Sequence, residues 1–205
     1  EIHERLVGSE MCIRDSFYQP MRELGDELYD YIAAKRPDLG LIRKVTRIYR
    51  DVRRLHGRGP YKESLWFSIE QPSEEWTAHP TFWFELMPEG WTCGMGYYMP
   101  KPLTMAKLRA RIDRDPKPLE RLARRLERSE FRLEGAEYKR TKGDPGGLLA
   151  PWYNRKSIAI SRDENCGGLL FQPELAEQVI QGFRFLKPYY EYLFSLAGDP
   201  TPEGM

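Results

Sequence analysis

The stretch FWFELMPEGWTCGMGYYM, residues 82–99, carries the clearest indication of the fold. From Phe82 to Leu86, apolar residues alternate with Trp83 and a glutamate, which is the period of a half-buried strand. Residues 91–99 have the composition of a second strand, and the turn residues Pro-Glu-Gly at 88–90 separate the two. We therefore predict an antiparallel β-hairpin here.

Further strands are predicted on both sides of this hairpin. Residues 65–70 alternate in the same way, and residues 44–53 are rich in β-branched and aromatic types. Residues 131–171 mix short strands with glycine and proline turns. Strands that follow one another at such short spacing favour an antiparallel meander over parallel strands joined by helices.

Four segments have apolar residues at every third or fourth position, which predicts amphipathic helices. They are residues 21–32, 105–112, 115–126 and 173–187. The last of these is predicted to end at Pro188, because proline removes a backbone donor from a helix interior. Residues 189–192 are predicted to form an aromatic turn after it.

The predicted fold is α+β, a single domain with a mainly antiparallel sheet flanked by helices, over residues 17–197. A chain of 205 residues with 40% apolar content can bury a core of this kind. Residues 1–16 are expected to be foreign or disordered, because residues 7–16, VGSEMCIRDS, resemble a translated sequencing adapter. The native start of the domain is then expected to be missing. Residues 198–205 are expected to form a disordered tail.

The composition indicates a soluble cytoplasmic protein. Mean hydropathy is −0.65 and 31% of the residues are charged. No run approaches the roughly 18 apolar residues of a membrane helix, and the N-terminus lacks a signal-peptide pattern. Cys12, Cys93 and Cys166 are too few and too far apart for a disulfide framework.

The candidate functional surface is the arginine segment, residues 47–62, with the sequence RIYRDVRRLHGRGPYK. It concentrates positive charge in a chain whose net charge is only +1. Such charge must be paired, solvated or matched to an anion, because burying it unpaired is very unfavourable. The candidate ligand-binding residues are Arg47, Arg50, Asp51, Arg53, Arg58, Tyr61 and Lys62.

Three interpretations of the arginine segment are open. In the favoured one, Arg50 and Arg53 clamp a small phosphate- or carboxylate-bearing ligand, because a guanidinium offers such groups two parallel hydrogen bonds. In an enzyme, Asp51 or Tyr61 would transfer protons while the arginines stabilise negative charge. In the third interpretation the arginines are purely structural and bind carboxylates of the protein itself.

Nucleic acid is a possible partner that the charge does not favour. A second basic stripe at residues 107–128 would suit phosphate contacts, and nearby aromatic residues would suit base stacking, namely Tyr49, Tyr61, Trp66 and Trp83. The whole chain, however, has a pI of about 7.9, whereas nucleic-acid-binding domains usually exceed about 9. The oligomeric state is open, and no membrane partner is expected.

No metal or cofactor is expected either. The chain has three histidines and no C-x-x-C, H-x-x-x-H or H-E-x-x-H spacing. The group Trp-Tyr-Asn-Arg-Lys at residues 152–156 is a second place where a ligand pocket is possible, because it combines aromatic rings with basic tips. A tryptophan that caps the core is the preferred interpretation of this group.

The order of these motifs resembles a known family. Residues 47–62 are similar to the RI-x-RD-x-R…PYK signature of the family catalogued as domain of unknown function 2461. Residues 94–100 resemble its glycine-tyrosine-proline segment, residues 103–112 its L…IR…I helix, and residues 138–140 its later basic segment. The resemblance extends over about residues 17–193 and implies no particular reaction.

Overall fold

Six antiparallel strands form one sheet, in the order β1-β2-β3-β4-β6-β5. The computed structural model describes residues 12, 14–51, 53, 59–73 and 79–203. The strands are β1 Ile42–Val45, β2 Leu65–Glu70, β3 Thr81–Met87, β4 Gly90–Tyr97, β5 Arg132–Glu134 and β6 Ile158–Asn165. From β1 to β4, each strand pairs with the next strand in the sequence, which confirms the predicted meander.

Within the described residues five α-helices accompany the sheet, so the predicted single α+β domain is confirmed. They are α1 Gln19–Lys35, α2 Pro102–Arg114, α3 Lys117–Glu127, α4 Ala150–Tyr153 and α5 Glu174–Phe194. Helix α1 contacts β1 and β2, α5 contacts β4, and the two helices contact each other. Of the segment expected to be foreign, residues 1–11 and 13 lie outside the described residues, and Arg14–Tyr18 form a π-helical turn that leads into α1.

The predicted hairpin is confirmed, and it shows how the sheet divides its two faces. Strands β3 and β4 pair from Thr81 opposite Gly96 to Met87 opposite Gly90. Phe82 is buried and packs on rings of α5. Trp83 must lie on the other side, because successive side chains of a strand point to opposite faces. The face that carries Phe82 is called the core face below, and the face that carries Trp83 the open face.

The prediction of a strand over residues 44–53 is wrong beyond Val45, where β1 ends. After that point the described part of the segment has only an isolated antiparallel bridge between Tyr49 and Tyr61. The regular ladder is interrupted because four residues lead from Val45 to Tyr49, whereas six lead from Tyr61 to Phe67, so the bridge and the β1–β2 ladder have different registers.

The prediction that Pro188 breaks the last helix is also wrong, since α5 continues through it to Phe194. Residues 189–192 are therefore helical rather than an aromatic turn. Pro188 removes one helical hydrogen bond, but Tyr189 and Tyr190, which follow it, are both buried. Burying two large rings on the helical path offsets the missing bond.

The C-terminal end of the described chain is attached to α2 through an ion pair. Arg111 Nε donates to Asp199 Oδ2 at 2.6 Å, and its Nη1 donates to the carbonyl of Tyr192 at 2.9 Å and to Ser195 Oγ at 2.8 Å. The side chains of Arg111 and Asp199 are only 13% and 17% exposed. Asp199 belongs to the segment 198–205 that the sequence predicts to be a disordered tail.

Asp199→Asn is expected to lower the free energy of unfolding at neutral pH by about 1.5–3 kcal/mol, because a charged hydrogen bond is lost. The hydrogen bond from Arg111 holds the pKa of Asp199 below its ordinary value of 3.8. A carboxylate whose pKa is lowered by folding stabilises the protein above its unfolded pKa and loses that contribution as the pH falls through its folded pKa.

The difference in stability between the wild type and Asp199→Asn should therefore shrink below about pH 4. Urea unfolding of both proteins at pH 7, 5 and 3 measures it. A difference that stays constant down to the lowest pH would show that the Asp199 charge does not contribute.

Candidate functional site

A cleft crosses the open face of the sheet, and we call it the sheet-face cleft. Its cavity volume is about 560 Å³, within the range of roughly 300–1,000 Å³ that is usual for small-ligand sites. Its polar and aromatic lining includes Trp66, Ser68, Glu70, His79, Trp83 and Glu85.

The register between β2 and β3 brings these side chains together. Trp66 lies opposite Glu85, and Ser68 lies opposite Trp83. Residues that face each other in an antiparallel pair project to the same side of the sheet, and diagonal neighbours such as Trp66 and Trp83 are about 7–8 Å apart. The two tryptophans and Glu85 therefore form one group on the open face.

The two tryptophan rings of the cleft differ from the core aromatics in their contacts. Neither contacts another aromatic ring or a cation within the described part of the chain. Trp66 is 37% exposed. Trp83 lies against β4, where a Cβ on Gly94 would come within 2.6 Å of its Cζ2 atom. Indole rings placed in this way offer flat faces to a ligand.

The two glutamates of the cleft differ in their partners. Glu70 is 4% exposed, pairs with the Lys44 ammonium group and accepts a hydrogen bond of 2.9 Å from Ser68 Oγ. Glu85 is half-buried and forms no hydrogen bond or ion pair with a described residue. Ile69 lies opposite Phe82, so the next residue of β2, Glu70, lies across from Thr81. Thr81 is four residues along β3 from Glu85. Four residues of a strand span about 13 Å, so the backbone positions of the two glutamates are not adjacent on the sheet.

His79 adds a buried polar atom to the lining of the cleft. Its Nδ1 has no hydrogen-bond partner, and its ring lies 5.8 Å from the ring of Phe194. Most buried polar side-chain atoms in proteins are hydrogen-bonded. An unpartnered nitrogen beside a cavity is therefore available to a ligand.

In the arginine segment, both side chains of the predicted anion clamp hold groups of the protein itself. Arg50 donates from Nε to the carbonyl of Tyr61 at 2.6 Å and from Nη2 to Glu63 at 2.8 Å. Arg53 grips Asp51 with two hydrogen bonds of 3.1 and 2.8 Å. A clamp formed by these two guanidinium groups, and a catalytic role for Asp51 or Tyr61, stay predictions.

The other described candidate residues of the arginine segment have different surroundings. Arg47 and Lys62 are exposed and pair with no described residue. Tyr61 stacks on Tyr49 with ring centroids 5.6 Å apart. Tyr61 and Lys62 line a smaller cavity of about 280 Å³, which the described arginines of the segment do not line. Arg58 lies outside the described residues.

The group at residues 152–156 is part of the scaffold. Trp152 is buried and stacks near Tyr189 at 6.4 Å. Arg155 donates to the carbonyls of Gly135 and Leu133 and pairs with Glu137 at 3.5 Å. The Arg155 contacts connect the segment after α4 to β5 at the edge of the sheet. Trp152 packs in the core, as the preferred interpretation predicts.

Neither a metal site nor a membrane span is found in the described ranges. No three His, Cys, Asp or Glu side chains lie close enough there to hold a metal ion. None of the described helices is both long and apolar enough to cross a bilayer.

The sheet-face cleft is not evident from the sequence, in which Trp66 and Trp83 stand out only as rings on which nucleic acid could stack. The available signal was the alternation in β2 and β3, which places the polar and indole side chains on one face. The alternation does not reveal the register between β2 and β3, and it is this register that places Glu85 opposite Trp66.

Comparison with known proteins gives one result. The family described as conserved hypothetical protein (DUF2461) matches residues 14–192, most of the 205-residue chain. No curated protein matches the chain. The chain therefore belongs to the DUF2461 family.

Proposed function

We propose that the protein binds a small organic cation, carrying an amine, quaternary ammonium or guanidinium group, in the sheet-face cleft. The observation that carries this proposal is the Glu85 carboxylate, which pairs with no described residue, beside Trp66 and Trp83. The face of an indole ring attracts a cation through its quadrupole. A carboxylate accepts hydrogen bonds from an ammonium or guanidinium group and matches its charge.

The charge balance of the cleft favours a cation over an anion. The Lys44 ammonium group already pairs with Glu70, and no other described lysine or arginine lines the cleft. An anion would therefore meet the charge of Glu85, which no described residue neutralises, whereas a cation matches it. With the ring proton on Nε2, His79 Nδ1 accepts a further N–H from the ligand.

Choline and its uncharged isostere 3,3-dimethylbutan-1-ol separate cation recognition from simple apolar binding, with phenethylammonium and agmatine as further cationic probes. We expect isothermal titration to show that at least one of the three cations binds. If choline binds, its affinity should be about tenfold higher than that of its isostere. Glu85→Gln should weaken cation binding by about tenfold or more, because the amide carries no charge.

Glu89→Gln is the matched control, since it removes the same charge from the exposed β3–β4 turn. It should leave cation binding unchanged. Failure of all three cations to bind at up to about 10 mM, or an equal loss in Glu85→Gln and Glu89→Gln, would contradict the proposal.

Anion binding at the arginine segment is a second candidate, favoured by Arg47 and Lys62, which are exposed and pair with no residue that the structure describes. Inorganic phosphate in the same titration is the probe for a small anion, and a single-stranded oligonucleotide is the probe for nucleic acid. Binding that is lost in Arg47→Ala and Lys62→Ala would support this candidate. Binding that both variants retain would exclude these two side chains.

A further inference from the structure

A second concave site lies on the core side of the sheet, between α1 and α5, and we call it the interhelix pocket. Its cavity volume is about 260 Å³. The floor is apolar and consists of buried side chains that include Ile32, Leu39, Phe82 and Phe183. A floor of this composition favours an alkyl or aryl group.

The rim of the interhelix pocket is cationic. Lys35, Arg36, Arg184 and Lys187 line it, against the single acid Glu191. The Lys35 ammonium lies 5.3 Å and the Arg184 guanidinium 5.5 Å from the centre of the Tyr31 ring. Neither of these two cations forms an ion pair with a described carboxylate.

Tyr190 provides an independent indication of a ligand. It is 2% exposed, and its ring is stacked between Phe82 at 4.8 Å and Phe194 at 5.8 Å. Its buried hydroxyl has no hydrogen-bond partner. Burial raises the pKa of Tyr190 to about 12, so the phenol stays protonated at neutral pH and retains a proton to donate.

Arg36, which lies near this hydroxyl, has one strong and one weak partner. It donates to Asp38 through two hydrogen bonds of 2.9 and 2.7 Å, while Glu191 is 3.5 Å away. Glu191 is also shared with Lys187 at 3.6 Å. An incoming carboxylate can therefore replace Glu191 on Arg36 without breaking the contact with Asp38.

We infer that the interhelix pocket binds a small amphipathic carboxylate, with its apolar chain on the floor and its carboxylate at the cationic rim. The Tyr190 hydroxyl and Arg36 donate to the carboxylate oxygens. Lys35, Arg184 and Lys187 supply the surrounding positive charge. This site is distinct from the sheet-face cleft and of opposite charge preference.

Octanoate is the probe, with octan-1-ol and octylammonium as analogues of the same chain length. Isothermal titration below the micellar concentration should show octanoate binding at least about tenfold tighter than octanol. Octylammonium, an amine that the sheet-face cleft can bind, should not displace octanoate from the interhelix pocket. Tyr190→Phe removes one hydroxyl and leaves the ring, and it should weaken octanoate binding by about three- to tenfold.

Tyr192→Phe is the matched control, because the Tyr192 hydroxyl is also buried without a partner but does not line the interhelix pocket. It should leave octanoate affinity unchanged. The double variant Lys35→Gln/Arg184→Gln changes only exposed rim residues and should weaken octanoate but not octanol. Thermal unfolding of every variant checks that it is folded.

Three results would overturn the inference. Octanol binding as tightly as octanoate would leave only an apolar cavity. Equal effects of Tyr190→Phe and Tyr192→Phe would remove the hydroxyl from the site. Octanoate affinity that depends on Glu85 rather than on the rim cations would place the ligand in the sheet-face cleft.

Discussion

Replacing Phe67 by alanine should lower the free energy of unfolding by about 3–5 kcal/mol. Phe67 is fully buried, and its ring stacks on Phe84 with centroids 5.6 Å apart. Helix α1 lies directly against it, since a Cβ on Gly25 would come within 3.3 Å of the Phe67 Cγ atom. Truncation leaves a cavity between β2 and α1 that the close-packed backbone cannot collapse to fill.

Urea unfolding of the wild type, Phe67→Ala and Phe67→Leu measures this effect. Leucine keeps most of the buried volume, so its loss should be only about 1–2 kcal/mol. The neighbouring Trp66 lies on the open face, and Trp66→Ala should lose about 1 kcal/mol or less. A loss in Trp66→Ala as large as in Phe67→Ala would mean that both faces of β2 are core, which contradicts the open face.

Gly96→Ala should be destabilising by about 3 kcal/mol or more, a large effect for a single methyl group. The added Cβ would overlap the carbonyl oxygen of Ile158 and come within 2.8 Å of the Ala159 Cα atom. Both of these residues belong to β6, which pairs with β4 through Gly96 and Ala159. The two backbones can separate only by breaking ladder hydrogen bonds within the sheet.

The control for this prediction is Gly198→Ala, at a glycine whose added Cβ would meet no atom within 4 Å. Its stability should stay within about 0.5 kcal/mol of the wild type. Unfolding curves recorded side by side compare the two substitutions. Gly96→Ala with wild-type stability would show that β4 and β6 are not as closely spaced as described.

Much of the fold could be predicted from residue patterns alone. The alternation over residues 65–70 and 82–86, the turn at 88–90 and the three- to four-residue spacing over 21–32 each match an observed element. These predictions succeed because strand and helix periods are local properties of the chain, repeated within a few residues.

The candidate site was much less accessible from the sequence. Charge density singles out the arginine segment, yet Arg50 holds the Tyr61 carbonyl and Glu63, and Arg53 holds Asp51. The pairing state of a charge depends on which acid the fold brings near. Arg111 and Asp199, for example, are 88 residues apart in the chain. Residue types and spacing do not contain that information.

Tertiary structure therefore decided three things that the local pattern left open. It ended β1 at Val45 and carried α5 through Pro188, because pairing and burial override local preference. It gave Glu70 a lysine and left Glu85 with no partner among the described residues, because the strand register fixes which side chains meet. Periodicity determined which residues form strands and helices, and long-range packing determined which polar groups remain available to a ligand.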